Sequence, residues 1–194
     1  MTTKQRVRIL LVIDYSTNWY EIFGKKTTLA NGDIVSVEQT EWKDLSVKAS
    51  SSGELWVQIK KSENPLPFSS QKDDRVVKPD FVLIRNFPTS LRETDFRNLL
   101  VGFEFSGIQS VNSIFSILCD MDRPLQHAQL CKVERAIAAR HAEPQKKKIE
   151  VVPMQYFANQ GDIVSTKGIQ GGAALSFPAV VKVASVNAGY GKAV

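Results

Sequence analysis

The chain is poor in the residues that most single-site enzymes are built on. It has two cysteines, Cys119 and Cys131, and two histidines, His127 and His141. Their spacing lacks the close pairs that a compact tetrahedral zinc site needs. There is no G-x-S-x-G and no H-E-x-x-H, so neither classical hydrolase nor metalloprotease chemistry is supported. No apolar run approaches the roughly 20 residues needed to cross a bilayer. The opening MTTKQR puts positive charge ahead of the apolar run VRILLVI at 7–13, but that run is short, meets Asp14 and offers no cleavage site. No secretory signal is expected, and the two thiols are expected to be reduced and cytosolic.

What remains is an ordinary globular composition. The 194 residues are 43% hydrophobic and 23% charged, enough for one large domain or for one complete domain and part of another. The net charge of +5 is unevenly spread. Residues 113–194 carry ten lysines and arginines against six acidic residues, whereas residues 1–112 are nearly balanced at 15 against 14. An anion-binding surface is therefore expected in the later part.

The first part alternates strand-like and helix-like pieces. RVRILLVID and DFVLIR, the latter at 80–85, are continuous apolar runs of the kind buried in parallel sheets. DIVSVEQ and ELWVQIKK alternate apolar and polar residues and predict strands with one wet face. Asn31-Gly32 marks a turn. Over 91–107 a helix is predicted, with Phe96, Leu99, Leu100 and Phe103 on one face and Gly107 as its C-terminal cap. IQSVNS follows as the next strand, completing a strand–helix–strand unit.

A second helix is signalled over 121–140, with Asp122 as its cap, Pro124 in the first turn, and Leu130, Val133 and Ile137 on one face. Two short strands, VVPMQYF and PAVVKV, are expected on either side of a loop rich in Gly, Ser and Ala at 161–176. The fold class is thus α/β. A Rossmann-like open sheet spans residues 1–112, and a second, partial domain of helix, variable loop and hairpin spans 113–194.

The candidate chemistry sits at the end of the chain, in FPAVVKVASVNAGYGKAV. NAGYGKA is not a Walker loop, since Val186 replaces its first glycine and Ala193 its Ser or Thr. If Gly189 and Gly191 allow a hairpin, Lys182 and Lys192 can flank a phosphate chain, with the loop backbone N–H groups over it. Arg123, at the start of the second helix, is a further cation where helix N–H groups already favour an anion. The alternative reading of each is an ordinary surface cation.

RVRILLVID, KPDFVLIR, DFRNLLVGFEFSGIQSVNS, DRPLQHAQ and the final FPAVVKVASVNAGYGKAV together resemble the synapsin family. The resemblance implies a pre-ATP-grasp Rossmann-like domain followed by the first part of an ATP-grasp domain. It implies ATP as ligand, with Lys182 as the strand lysine on the nucleotide, and Gly189, Tyr190, Gly191 and Lys192 as the lid over its phosphates. Arg123 would stand where a lysine usually touches the nucleotide, keeping the charge but changing its shape and reach.

The resemblance also implies a non-enzymatic protein on the cytoplasmic face of synaptic vesicles in the presynaptic terminal. Such a protein clusters vesicles, binds actin, self-associates and limits transmitter release. The chain is expected to be the front of such a core, ending at the lid, with ATP binding weakened or lost. The alternative is a fragment of an ATP-dependent ATP-grasp ligase. Nucleic-acid binding is not expected, because the basic end lacks interleaved aromatic residues.

Overall fold

In a computed structural model, residues 5–24, 27–68, 73–89, 94–140, 149–159, 161–162, 178–182 and 192–193 are described. Contacts divide the chain into two compact units, 1–118 and 119–194.

The first unit is organised around β1 (Val7–Ile13). Its last four residues, Leu10 to Ile13, are all buried, as the continuous apolar run requires of a strand covered on both faces. β1 pairs in parallel with β2 (Ile34–Thr40) on one edge and β6 (Phe81–Ile84) on the other. β7 (Gln109–Val111) extends the sheet in parallel beyond β6, giving the order β2-β1-β6-β7. On one face Leu10, Val12 and Val35 pack with Trp19, Phe23, Val37, Phe81 and Leu83. The opposite pleat of β1 carries Leu11 and Ile13, which are fully buried, each contributing about 2 kcal/mol through burial.

The connection from β1 to β2 includes a helix that the sequence reading did not anticipate, α1 (Trp19–Phe23). Asn18 caps it, accepting the Glu21 N–H at 3.3 Å while its own amide reaches the Glu21 carboxylate. Asn31-Gly32 then turns the chain into β2, with Gly32 at φ 88°.

Between β2 and β6 the chain forms a separate antiparallel sheet instead of a crossover helix. It comprises β3 (Leu45–Ala49), β4 (Leu55–Ile59) and β5 (Arg75–Val77), in sequence order. A 3₁₀ turn at Trp42–Asp44 leads into it. Leu55, Val57 and Ile59 are buried while Gln58 is exposed, so ELWVQIKK has the single wet face that its alternation predicts. DIVSVEQ, which becomes β2, does not end that way: the polar pair Gln39 and Thr40 is buried. The two sheets are joined by Arg75 of β5, whose Nε donates to the Glu38 carboxylate of β2 at 3.0 Å.

The helix expected over 91–107 is α2 (Arg97–Ser106), ending at Gly107 in the left-handed region with φ 68°. Its start is set by Asp95, whose carboxylate accepts the Arg97 backbone N–H at 3.0 Å and also pairs with the Arg97 guanidinium. Leu100 and Phe103 are fully buried. Residues 91–93 lie outside the described residues. α2 approaches β3 so closely that a Cβ on Gly102 would meet Val47 Cγ1 at 2.9 Å. α3 (Ile114–Asp120) follows β7, and the division between the two units falls within it.

In the second unit α4 (Arg123–Arg140) is the longest element. Asp122 caps it, accepting the Leu125 N–H at 3.2 Å. The shared face of Leu130, Val133 and Ile137 is not a buried one, for α4 has no buried residue. The expected strand VVPMQYF is not a strand. Pro153 cannot donate to a ladder, the Val151 N–H bonds the Glu134 carboxylate at 3.1 Å, and Val152 and Tyr156 are exposed. PAVVKV contributes a two-residue strand, β8 (Val181–Lys182), paired antiparallel with β9 (Lys192–Ala193).

The Gly102–Val47 contact can be tested by a double-mutant cycle. Gly102→Ala gains about 1 kcal/mol of helix propensity but overpacks against Val47 at a cost of about 1–3 kcal/mol. The expected outcome in urea unfolding is a net loss of about 1 kcal/mol. In a Val47→Ala background the same substitution should become stabilising. Equal effects in both backgrounds would show that the contact is not limiting.

Candidate functional site

Open parallel sheets bind ligands outside the carboxyl ends of their strands, where the strand order reverses. In this sheet the reversal lies between β1 and β6. The chain fills that place with its own side chains. Asn86 follows β6, and its side-chain oxygen accepts the Tyr15 N–H at 2.9 Å; its backbone carbonyl accepts the Trp42 indole N–H at 3.0 Å. The Arg85 N–H donates to the Ile13 carbonyl at 3.0 Å. The Trp42 ring stacks on Phe96, with centroids 6.5 Å apart.

The turn after β1 is fixed just as closely. Asp14 is 1% exposed, and its carboxylate accepts the Ser16 N–H at 2.9 Å, the Ser16 hydroxyl at 2.8 Å and the Trp19 indole N–H at 2.7 Å. Gln39, fully buried on β2, donates to the carbonyls of Asp14 and Thr17 at 2.8 and 2.7 Å and accepts the Trp19 backbone N–H at 3.0 Å. Here the turn is DYSTN, with no glycine to let a pyrophosphate approach the backbone, and it presents a buried carboxylate. This end of the sheet is held by its own side-chain hydrogen bonds.

Burial alone pushes the Asp14 carboxyl up, but the hydrogen bonds from Trp19 and Ser16 outweigh it and hold the pKa below the ordinary 3.8. At the other end of β1, hydrogen bonding to Arg8 holds Asp33 below 3.8 as well.

The residues singled out from sequence all fall in the second unit. The β8–β9 register pairs Lys182 directly with Lys192, bringing two residues ten positions apart to the same rung. Lys182 is exposed. Gly189, Tyr190 and Gly191 lie outside the described residues. Arg123 belongs to a separate element, occupying the first position of α4. The Leu125 N–H there already has an acceptor in the Asp122 carboxylate at 3.2 Å, so an anion at Arg123 would face a negative charge. Among the described residues no group of three or more His, Cys, Asp and Glu side chains could hold a metal ion. No described helix is long and apolar enough to cross a membrane.

Sequence reasoning did not single out Gln39, Asn86 or Asp14. For Asp14 a signal was available, since a carboxylate closing an apolar strand two residues before Ser16 is an Asx-turn pattern.

A folded-state carboxyl pKa below 3.8 means that its stabilisation is complete above the unfolded-state value and is lost as pH falls through the folded one. Asp14→Asn is expected to be less stable than the parent at pH 7 by about 2 kcal/mol, the scale of a hydrogen bond to a charged group. The gap should close as pH falls below 3.8, where the parent's own carboxyl protonates. Urea unfolding at a series of pH values checks this, and a constant gap would refute it.

Against known proteins, residues 3–110 match the Synapsin pre-ATP-grasp domain. That span covers the whole of the first unit's parallel and antiparallel sheets up to β7. The chain is also 28% identical to "Synapsin" of Drosophila melanogaster over 193 residues, which is 98% of this chain and 17% of that protein. With more than half of its length matched by that domain, and with the open parallel sheet the domain requires, the chain belongs to the synapsin family.

Proposed function

We propose that this chain acts as a synapsin-type, non-enzymatic protein. In this reading it sits peripherally on synaptic vesicles in the presynaptic terminal, clusters them, contacts actin, self-associates and restrains transmitter release. The observation that carries this reading is the family match over residues 3–110. The first unit supports it in kind, because its switch point is closed by Asn86, Gln39 and Asp14, leaving outer surfaces as the means of action. The relative's activity belongs to a protein of which this chain spans 17%, so vesicle attachment by these 194 residues is the point to measure.

ATP binding by this chain is proposed to be weak. The Lys182–Lys192 rung supports phosphate contact, and the exposure of Lys182 means that water and salt screen the attraction.

Two measurements test the proposal. The purified chain should co-float with synaptic vesicles, and absence of co-flotation by a folded chain would overturn the vesicle reading. Calorimetric titration with ATP, with and without magnesium or calcium, should give weak, salt-sensitive binding that falls at least tenfold in Lys182→Ala/Lys192→Ala, with no release of ADP. Steady turnover of ATP would favour the ATP-grasp ligase alternative.

A further inference from the structure

The two outer strands of the parallel sheet are finished differently. At β2 the chain closes its own edge: the Val35 N–H donates to the Thr27 carbonyl at 2.8 Å and the Gln39 N–H to the Tyr20 hydroxyl at 3.1 Å. At β7 the outward backbone groups of Gln109–Val111 have no partner among the described residues. An open edge is a template for another strand, and proteins usually blunt it with lysine, proline, a bulge, a covering element or a short strand. Of these β7 has only its shortness.

The sheet face beside that edge is also incompletely covered. Gln109 and Val111 stand in register with Phe81 and Leu83, which are only partly buried against the core cluster on the α1 side. Val111 is 55% exposed, and Phe115 in α3 is 54% exposed. From 105 to 119 the sequence holds no charged residue.

That neutrality decides what can cover the surface. A charged partner would find nothing to pair with, whereas a neutral surface meets its own copy without like-charge repulsion. A two-fold interface brings one patch against itself, and an axis perpendicular to the sheet pairs two copies of one strand antiparallel. With that axis at Ser110, Val111 of each copy stands opposite Gln109 of the other, all four on one face. We infer that β7 is the self-association edge of the chain, pairing antiparallel with β7 of a second copy and joining the two four-stranded sheets into one. The inference rests on the self-association in the proposed function and names the surface for it. So short an edge buries little area, so the dimer is weak and concentration-dependent.

The experiment uses the full 194-residue chain in sedimentation velocity over a hundredfold range of concentration, where a monomer–dimer equilibrium is expected. Val111→Lys, at an exposed side chain, should weaken the dimer at least tenfold, and so should Val111→Glu. Mixing these two variants should restore association, which a merely structural defect in either would not allow. Val76→Lys, the same change at an exposed position of the antiparallel sheet, should leave the dimer within twofold. Should the β7 variants fail to fold, hydrogen exchange of the parent decides: amides at 109–111 should exchange more slowly as concentration rises, and those at 75–77 should not change. A dimer indifferent to Val111→Lys, equal loss with Val76→Lys, or a mixture that fails to associate would overturn the inference and leave self-association through another surface. A monomer at every concentration, with β7 open or covered by another part of its own chain, would overturn the inference and self-association together, and co-flotation with vesicles would then stand or fall by itself.

Discussion

The first unit depends on the pairing of β1 on both of its edges and on what holds its two ends. A parallel strand gains hydrogen bonds only if its neighbours start at the same level, and Arg8 sets that level. Its Nε pairs with Asp33 just before β2 at 2.9 Å, and its Nη1 pairs with Asp80 just before β6 at 2.8 Å. Asp80 also accepts the Ile9 N–H at 2.8 Å, and Asp33 the Arg6 N–H at 3.2 Å. One guanidinium thereby bridges the entry points of three strands. At the far end Asp14, Gln39 and Asn86 do the same with neutral and charge-assisted hydrogen bonds. A one-residue slip of β1 would exchange Leu11 and Ile13 for Leu10 and Val12 between faces and break both sets of contacts together, so register is fixed at each end independently.

That arrangement has a functional consequence. In open α/β sheets the crevice at the switch point is the usual ligand site because loops there leave backbone N–H groups unused. Here the Tyr15 N–H goes to Asn86, the Ser16 N–H to Asp14 and the Trp19 N–H to Gln39. These three donors are all satisfied within the chain. The inserted antiparallel sheet adds a second surface, tied to β2 by Arg75–Glu38 and to α2 by the contact at Gly102. Its outward side carries Trp56 between Lys48 and Lys78, the latter also 3.9 Å from Glu54.

Much of this was legible from residue pattern. The runs at 7–13 and 81–84, the apolar face of α2 and the cap at Gly107 follow from periodicity and backbone preference, and the parallel pairing follows from strand–helix–strand order. α1 was missed because five residues are too few for a period, although Asn18 with Glu21 three positions on is a capping pattern. β2 was read as half wet because DIVSVEQ alternates apolar and polar residues; Gln39 is buried because it satisfies its amide within the turn after β1. VVPMQYF was expected as a strand for its apolar residues beside the loop, and Pro153, which has no N–H to give a ladder, argues against it. The insertion of β3–β5 between β2 and β6 could not be read from any local signal, since its individual strands look the same whether they join the main sheet or form their own.

The lysine rung shows how far a pattern can carry a site. The sequence reading had Lys182 and Lys192 flank a phosphate chain, with two ordinary surface cations as the alternative; the register of β8 and β9 puts the two positions on one rung. Like charges at directly opposed strand positions cost roughly 0.2–1 kcal/mol relative to neutral ones. An anion bound between the two positions would remove that repulsion, and by linkage whatever favours the paired register also favours the anion. Phosphate contact and hairpin pairing are, in the proposed reading, one equilibrium seen from two sides. In the proposed reading, the modest size of the repulsion limits how strongly a phosphate chain can couple to the rest of the second unit through these two residues alone.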